Sequence, residues 1–124
     1  MRITMAAAAC LAVLCAAPAL AAGGDVMAGF YGNTVVSTGG AIESHTHFKA
    51  DHTFDAVFSG MGQTFASKGT WEIKDDQVCR TYDPAPPGIT NPVCVPAAPH
   101  KVGDKWTVTV NGASRDVTLL AGIQ

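Results

Sequence analysis

The stretch KWTVTVNGASRDVTLL, residues 105–120, decides the fold class of this chain. In its first half the apolar residues Trp106, Val108 and Val110 alternate with polar ones, which is the period of a strand that buries one face. Asn111-Gly112 follows, and this dipeptide is preferred in two-residue type I′ turns because both central residues need a positive φ. The stretch therefore predicts a β-hairpin at the end of the chain.

The same two-residue period recurs upstream of the hairpin. It is clearest at 42–50, 53–59 and 69–73, and further short strands are expected at 64–67, 77–82 and 93–95. Asp25 is a candidate cap for a short N-terminal helix that reaches Tyr31. Seven or eight short strands joined by tight turns predict an all-β domain built as a small antiparallel meander, either a barrel or a strongly curved sheet. A two-layer sandwich is the alternative.

Residues 1–21 have the pattern of a signal peptide. Arg2 precedes an apolar run, Pro18 ends it, and Ala19-Leu20-Ala21 fits the small-x-small rule for signal peptidase. We predict cleavage after Ala21, which leaves 22–124 as a single small β domain in the periplasm or outside the cell. The apolar run is shorter than the roughly 20 residues that a bilayer requires, so no transmembrane anchor is expected.

Composition and motifs exclude several function classes. The 124 residues contain 8 Lys+Arg against 10 Asp+Glu, so there is no basic excess of the kind that nucleic-acid binding needs, and no nucleic-acid partner is expected. Neither a G-x-S-x-G nor an H-E-x-x-H motif occurs. We predict no catalytic residue and expect that the protein is not an enzyme.

Cys79 and Cys94 are the two cysteines that remain after the predicted cleavage. Two cysteines in an exported chain usually pair, and these lack the C-x-x-C spacing of a metal or redox site. A disulfide that closes a loop of about 15 residues contributes roughly 3 kcal/mol. We predict a structural disulfide between them.

Five short motifs occur in order along most of the mature chain. They are Gly32-Asn33-Thr34-Val35, Ala50-Asp51-His52-Thr53-Phe54, Gly69-Thr70-Trp71, Val78-Cys79 and Val93-Cys94-Val95. Together they resemble a set of small exported bacterial proteins of unknown function with a GNTV…DGT…GTW…C…C pattern. The resemblance implies a lipocalin-like mini-barrel and an export route, without an activity. This chain departs from the pattern at His52, where those proteins usually carry Gly.

His45, His47 and His52 form the candidate metal site. Alternate residues of a strand share a face, so His45 and His47 stand about 7 Å apart at Cα, and a turn can bring His52 beside them. Neutral imidazoles suit Zn²⁺ or Cu²⁺, and no other cofactor is expected. The alternative is a solvated strand face.

Two further groups are candidates for binding. The Pro-rich segment that begins at Tyr82 and includes Pro86, Pro87 and Ile89 is pinned by the predicted disulfide. A rigid loop loses little entropy when it binds a partner, so we expect a protein or envelope component there. Trp71 and Trp106 belong either to the core or to an apolar ligand pocket.

These observations lead to an expected function. We expect a non-enzymatic exported binding module for a protein or envelope partner or for a small apolar ligand. The alternatives are a His-based Zn- or Cu-binding protein and, by analogy alone, a periplasmic inhibitor of a cell-wall hydrolase. An open sheet edge would favour a homodimer, because its backbone groups need partners.

Overall fold

The computed structural model describes residues 25–124, which form one antiparallel sheet of eight strands and confirm the predicted all-β class. The strands are β1 (Thr34–Gly39), β2 (Ile42–Phe48), β3 (Thr53–Gly60), β4 (Gln63–Lys74), β5 (Gln77–Asp83), β6 (Val93–Pro96), β7 (Lys105–Val110) and β8 (Ala113–Leu120). The predicted signal peptide, residues 1–21, lies outside the described residues. Within residues 25–124, no helix is both long and apolar enough to cross a membrane.

The sheet curls into a nearly closed barrel. Its order is β6-β5-β4-β3-β2-β1-β8-β7, and the two edge strands, β6 and β7, lie next to each other. The pairing of β1 with β8 brings Val35 opposite Leu119 and so joins the two ends of the described chain. A barrel forms rather than the alternative sandwich, and its strands have one inner and one outer face.

Three of the hairpins turn through two residues with positive φ. These are Met61-Gly62, Asp75-Asp76 and Asn111-Gly112, with φ values of 55° and 77°, 52° and 62°, and 52° and 80°. This backbone is that of the type I′ turn, whose twist matches that of the flanking strands. The predicted hairpin at the chain end is confirmed.

The strands differ from the expected set in two places. β4 runs without a break through Lys68, where the sequence predicts a division into two strands, because its first half pairs with β3 and its second half with β5. Thr34–Gly39 forms β1, which was not predicted, between β2 and the distant β8. The expected N-terminal helix is a single 3₁₀ turn at Ala28–Phe30.

Aromatic side chains close one end of the barrel. The 3₁₀ turn inserts Met27 and Phe30, both buried, and the Phe30 ring meets those of Phe48 and Trp106 edge-on at 5.9 and 6.1 Å between centroids. Trp71 is buried beside them, and its Nε1 donates a hydrogen bond of 3.0 Å to the carbonyl of Lys49. This aromatic cluster is part of the buried core, and it forms the floor of the space above it.

The disulfide between Cys79 and Cys94 is present as predicted. The two residues face each other across β5 and β6, with their Cα atoms 4.0 Å apart. β6 has only four residues and is an edge strand, so the bond fixes the shortest strand of the barrel to its neighbour.

Candidate ligand cavity

The barrel contains a cavity of about 510 Å³ above the aromatic floor. Met27 and Phe30 line its base, and residues at the opposite hairpin turns, among them Met61 and Asn111, line its rim. Most of the wall between base and rim is apolar. Val35, Phe58, Phe65, Val95, Val108 and Val117 are part of it.

The inward residues of β2 explain why the barrel is hollow. Small Ser44 and Thr46 separate the larger Ile42 and Phe48 on this face, and all four line the cavity. Side chains nearly fill the interior of a typical eight-stranded barrel. Two short side chains in succession on one strand leave space in the middle of this one.

Arg115 of β8 reaches from the inner face of the barrel across β1. Its Nε donates to Ser37 Oγ at 2.6 Å, and its Nη2 donates to the carbonyls of Ser37 and Ile42 at 3.0 and 3.2 Å. Burial lowers the pKa of this guanidinium below its ordinary value, and the positive charge of Arg80 acts in the same direction. The side chain is therefore held in place by neutral acceptors, while its charge is not neutralised.

Arg80 of β5 projects into the same cavity. Its guanidinium carbon lies 5.5 Å from the centroid of the Tyr82 ring and 6.0 Å from that of Phe48. Its Nε is buried and has no hydrogen-bond partner. Contact with aromatic faces compensates only in part for the loss of water around a cation.

The cavity has a positive and uncompensated charge. Arg80 and Arg115 are the two arginines of residues 25–124, and both line the cavity, whereas none of the five lysines of this segment does. No Asp or Glu of the described chain is among the lining residues, and neither arginine forms an ion pair there. The inside of the barrel thus combines apolar walls with two cations.

The sequence holds a signal for both arginines. Arg115 alternates with Val117 and Leu119, and the predicted hairpin already places it on their face. We made no prediction for Arg80 from the sequence, although it alternates with Val78 and Tyr82 along one strand in the same way. A cation on the apolar face of a strand is the feature that would have identified it.

The two tryptophans have different places. Trp71 is 3% exposed and belongs to the floor cluster, and it is not among the cavity-lining residues. Trp106 is half-buried and lines the cavity. Trp71 therefore lies in the core, and Trp106 lies in the wall of the cavity.

The Pro-rich loop forms part of the barrel wall. Tyr82 is buried at the end of β5 and Pro86 is buried in the loop, while Pro87 and Ile89 are more exposed, and all four residues line the cavity. The side-chain amide of Asn91 bonds both the N–H and the carbonyl of Tyr82 at 2.8 Å. The loop is held against the barrel, with these side chains directed to the cavity.

The three candidate metal ligands, His45, His47 and His52, each contact a different neighbouring side chain. His45 Nε2 lies 3.0 Å from Glu43, His47 Nδ1 lies 2.6 Å from Asp55, and the His52 ring stacks on Trp71. Among residues 25–124, no group of three or more His, Cys, Asp or Glu side chains is arranged to hold a metal ion.

The backbone of His52 has a conformation that non-glycine residues rarely adopt. Its φ is 71°, in the left-handed region that Gly adopts without cost. Here stacking of the imidazole on the indole of Trp71, at 4.1 Å between centroids, accompanies the non-glycine residue.

Comparison of the chain with protein-family models, with curated proteins and with solved structures finds no match in any of the three. The function is therefore argued from the cavity itself.

Proposed function

We propose that this protein is a non-enzymatic binding protein that takes a small apolar ligand into its barrel. The observation that carries the proposal is the cavity of about 510 Å³ with mainly apolar walls. Ligand sites commonly measure about 300–1,000 Å³, whereas protein cores leave few voids larger than a water molecule. A hollow of this size in so small a domain favours a ligand as its occupant.

The position of the Pro-rich loop supports a small ligand over a protein partner. Pro86 and Ile89, two of the apolar side chains that would anchor a partner, line the cavity. A bound protein would contact mainly the outer face of this loop. The same side chains are already placed to contact a molecule inside the barrel.

Export is part of the proposal. It is supported by the pattern of residues 1–21 and by the Cys79–Cys94 bond, because disulfides persist in oxidising compartments. The intact mass of the protein purified from the periplasm or medium tests it. We expect a mass for residues 22–124 that is lower by two hydrogen atoms than that of the reduced chain, and a mass that retains residues 1–21 would contradict export with cleavage.

The binding test uses the uncharged fluorescent probe N-phenyl-1-naphthylamine. We expect saturable binding with one probe per protein and an enhanced, blue-shifted emission. Ser44→Phe places an aromatic ring in the cavity, and His45→Phe places the same ring on the outer face of the same strand. Ser44→Phe should abolish binding and His45→Phe should preserve it.

Circular dichroism and melting temperature establish that both variants are folded. If Ser44→Phe does not fold, Val108→Phe with Thr107→Phe as its outward neighbour provides a second pair. Absence of probe binding to the wild-type protein, or equal binding by the inward and outward variants, would overturn the proposed function.

A further inference from the structure

Two cations inside an apolar cavity need a structural or functional reason. An unpaired buried charge costs free energy, and a protein that only needed a filled barrel would carry apolar residues at positions 80 and 115. All five lysines of residues 25–124 lie elsewhere, so the charges in the cavity are not part of a general basic surface.

The hydrogen bonds of the two arginines differ. Arg115 is satisfied by Ser37 and by the carbonyls of Gly39 and Ile42, which fixes the guanidinium against β1. Arg80 has a buried Nε with no acceptor, between the rings of Phe48 and Tyr82. Arg80 is the group that lacks a partner, and Arg115 adds a second positive charge to the same space.

We propose that the ligand is an amphipathic anion, an apolar body with a single carboxylate, and that its carboxylate is bound by Arg80. This inference rests on the proposed function and narrows it to a ligand class. The apolar walls would contain the tail, and a charge-assisted hydrogen bond would give the Arg80 guanidinium, which forms no ion pair in the described chain, the counter-charge that it lacks. Because no carboxylate of the described chain lines the cavity, nothing there competes for the guanidinium.

A positively charged or uncharged ligand does not meet the same requirement. A cation would be repelled by both guanidinium groups at short range in a region of low dielectric. An alcohol offers a neutral acceptor and leaves the charge of Arg80 uncompensated. Discrimination between an acid and the corresponding alcohol is therefore the property to measure.

The experiment measures displacement of N-phenyl-1-naphthylamine by dodecanoate, dodecanol and dodecylamine below their micellar concentrations at pH 7.5. We expect dodecanoate to bind at least about tenfold more tightly than dodecanol, because a hydrogen bond between charged groups increases affinity by at least this factor. Dodecylamine should be the weakest competitor. All three ligands carry the same tail, so the head group alone decides the order.

Arg80→Met tests the assigned residue, and Lys105→Met on the outside of β7 is the control with the same change in net charge. Arg80→Met should bring dodecanoate to within about threefold of dodecanol, and the ratio of the two affinities is the quantity that is compared between variants. Lys105→Met should keep the wild-type ratio. Dodecanoate should also raise the melting temperature of the wild type by more than that of Arg80→Met, because the tighter complex stabilises the folded state more.

The outcomes separate this inference from the proposed function. If the probe binds and the acid and the alcohol compete equally, the cavity function stands and the anionic ligand class is wrong. If the acid is preferred and Arg80→Met retains the preference, the assignment to Arg80 is wrong. Should Arg80→Met fail to fold, comparison of dodecanoate with its methyl ester on the wild type decides, since equal affinity contradicts the proposal.

Discussion

The imidazole of His100 stacks on the indole of Trp106, with ring centroids 3.5 Å apart and planes inclined by 6°. His100 also meets the ring of Phe30 edge-on, and its Nδ1 lies 3.3 Å from an Asp104 carboxylate oxygen. The segment between β6 and β7 thus holds Trp106 in place where the floor and the wall of the cavity meet.

Trp106 should therefore report on ligand binding. A bromine-labelled dodecanol quenches indole fluorescence on contact, and Trp106 lines the cavity while Trp71 does not. We expect Trp71→Phe to retain most of the quenching and Trp106→Phe to lose most of it, measured by fluorescence titration at low temperature. Strong quenching in Trp106→Phe would place the ligand elsewhere.

Loss of the disulfide should lower stability without abolishing ligand binding. The bond closes a loop of about 15 residues, for which about 3 kcal/mol is expected, or about 12–24 °C in melting temperature for a domain of this size. Neither Cys79 nor Cys94 lines the cavity. The double variant Cys79→Ala/Cys94→Ala should bind the probe normally at 15 °C, because a decrease of about 12–24 °C from a typical melting temperature of about 45–65 °C leaves the domain folded there.

Calorimetry of the oxidised and reduced wild type provides the control for that variant. Reduction and the double substitution should lower the melting temperature by similar amounts. A decrease of less than about 3 °C on reduction would contradict a structural role for the bond.

Asp55 should make stability depend on pH in the acid range. Burial acts to raise the pKa of this carboxyl, but hydrogen bonds from His47 and Lys49 outweigh it, and the pKa is lowered from its ordinary value. A lowered folded-state pKa contributes stability that is present above the unfolded pKa of about 4 and is lost as the pH falls through the folded pKa. The expected effect is a decline in stability on acidification below about pH 4.

Asp55→Asn tests this contribution. Partly exposed ion pairs contribute roughly 0.2–1 kcal/mol, so the melting temperature at pH 7 should fall by a few degrees. The difference from the wild type should vanish at the lowest pH, where the wild-type carboxyl is protonated as well. Asp116→Asn, an exposed outward position on β8, is the control and should change neither value. A constant difference between Asp55→Asn and wild type at every pH would contradict the linkage.

Gly69, the one glycine of β4, should not be replaceable without a loss of stability. A Cβ there would overlap the carbonyl oxygen of Thr81 and lie 3.0 Å from Cε1 of Phe54. Gly69→Ala should cost about 1–3 kcal/mol, as overpacking does, measured by urea unfolding. The exposed neighbour Thr70→Ala should stay within about 0.5 kcal/mol of the wild type. Equal stability of the two variants would show that the strand can shift to admit a methyl group.

Local patterning was sufficient to predict most of the strands. The alternation of Trp106, Val108 and Val110 and the Asn111-Gly112 turn are set by contacts within a few residues, so the last hairpin follows from the sequence. The Cys79–Cys94 bond follows from the predicted export and the count of cysteines. The break predicted at Lys68, between 64–67 and 69–73, was wrong, because β4 continues from its pairing with β3 into its pairing with β5 without interruption.

The sequence by itself determined which residues alternate in each strand, where most turns lie and that two cysteines pair, since these depend on backbone preferences and short-range spacing. Only the tertiary structure decided that β1 closes against β8 and that Arg80 and Arg115 share one apolar cavity without a carboxylate. Those relationships join residues far apart in the chain. They are set by the curvature of the sheet and the small side chains Ser44 and Thr46 inside it, which no local pattern records.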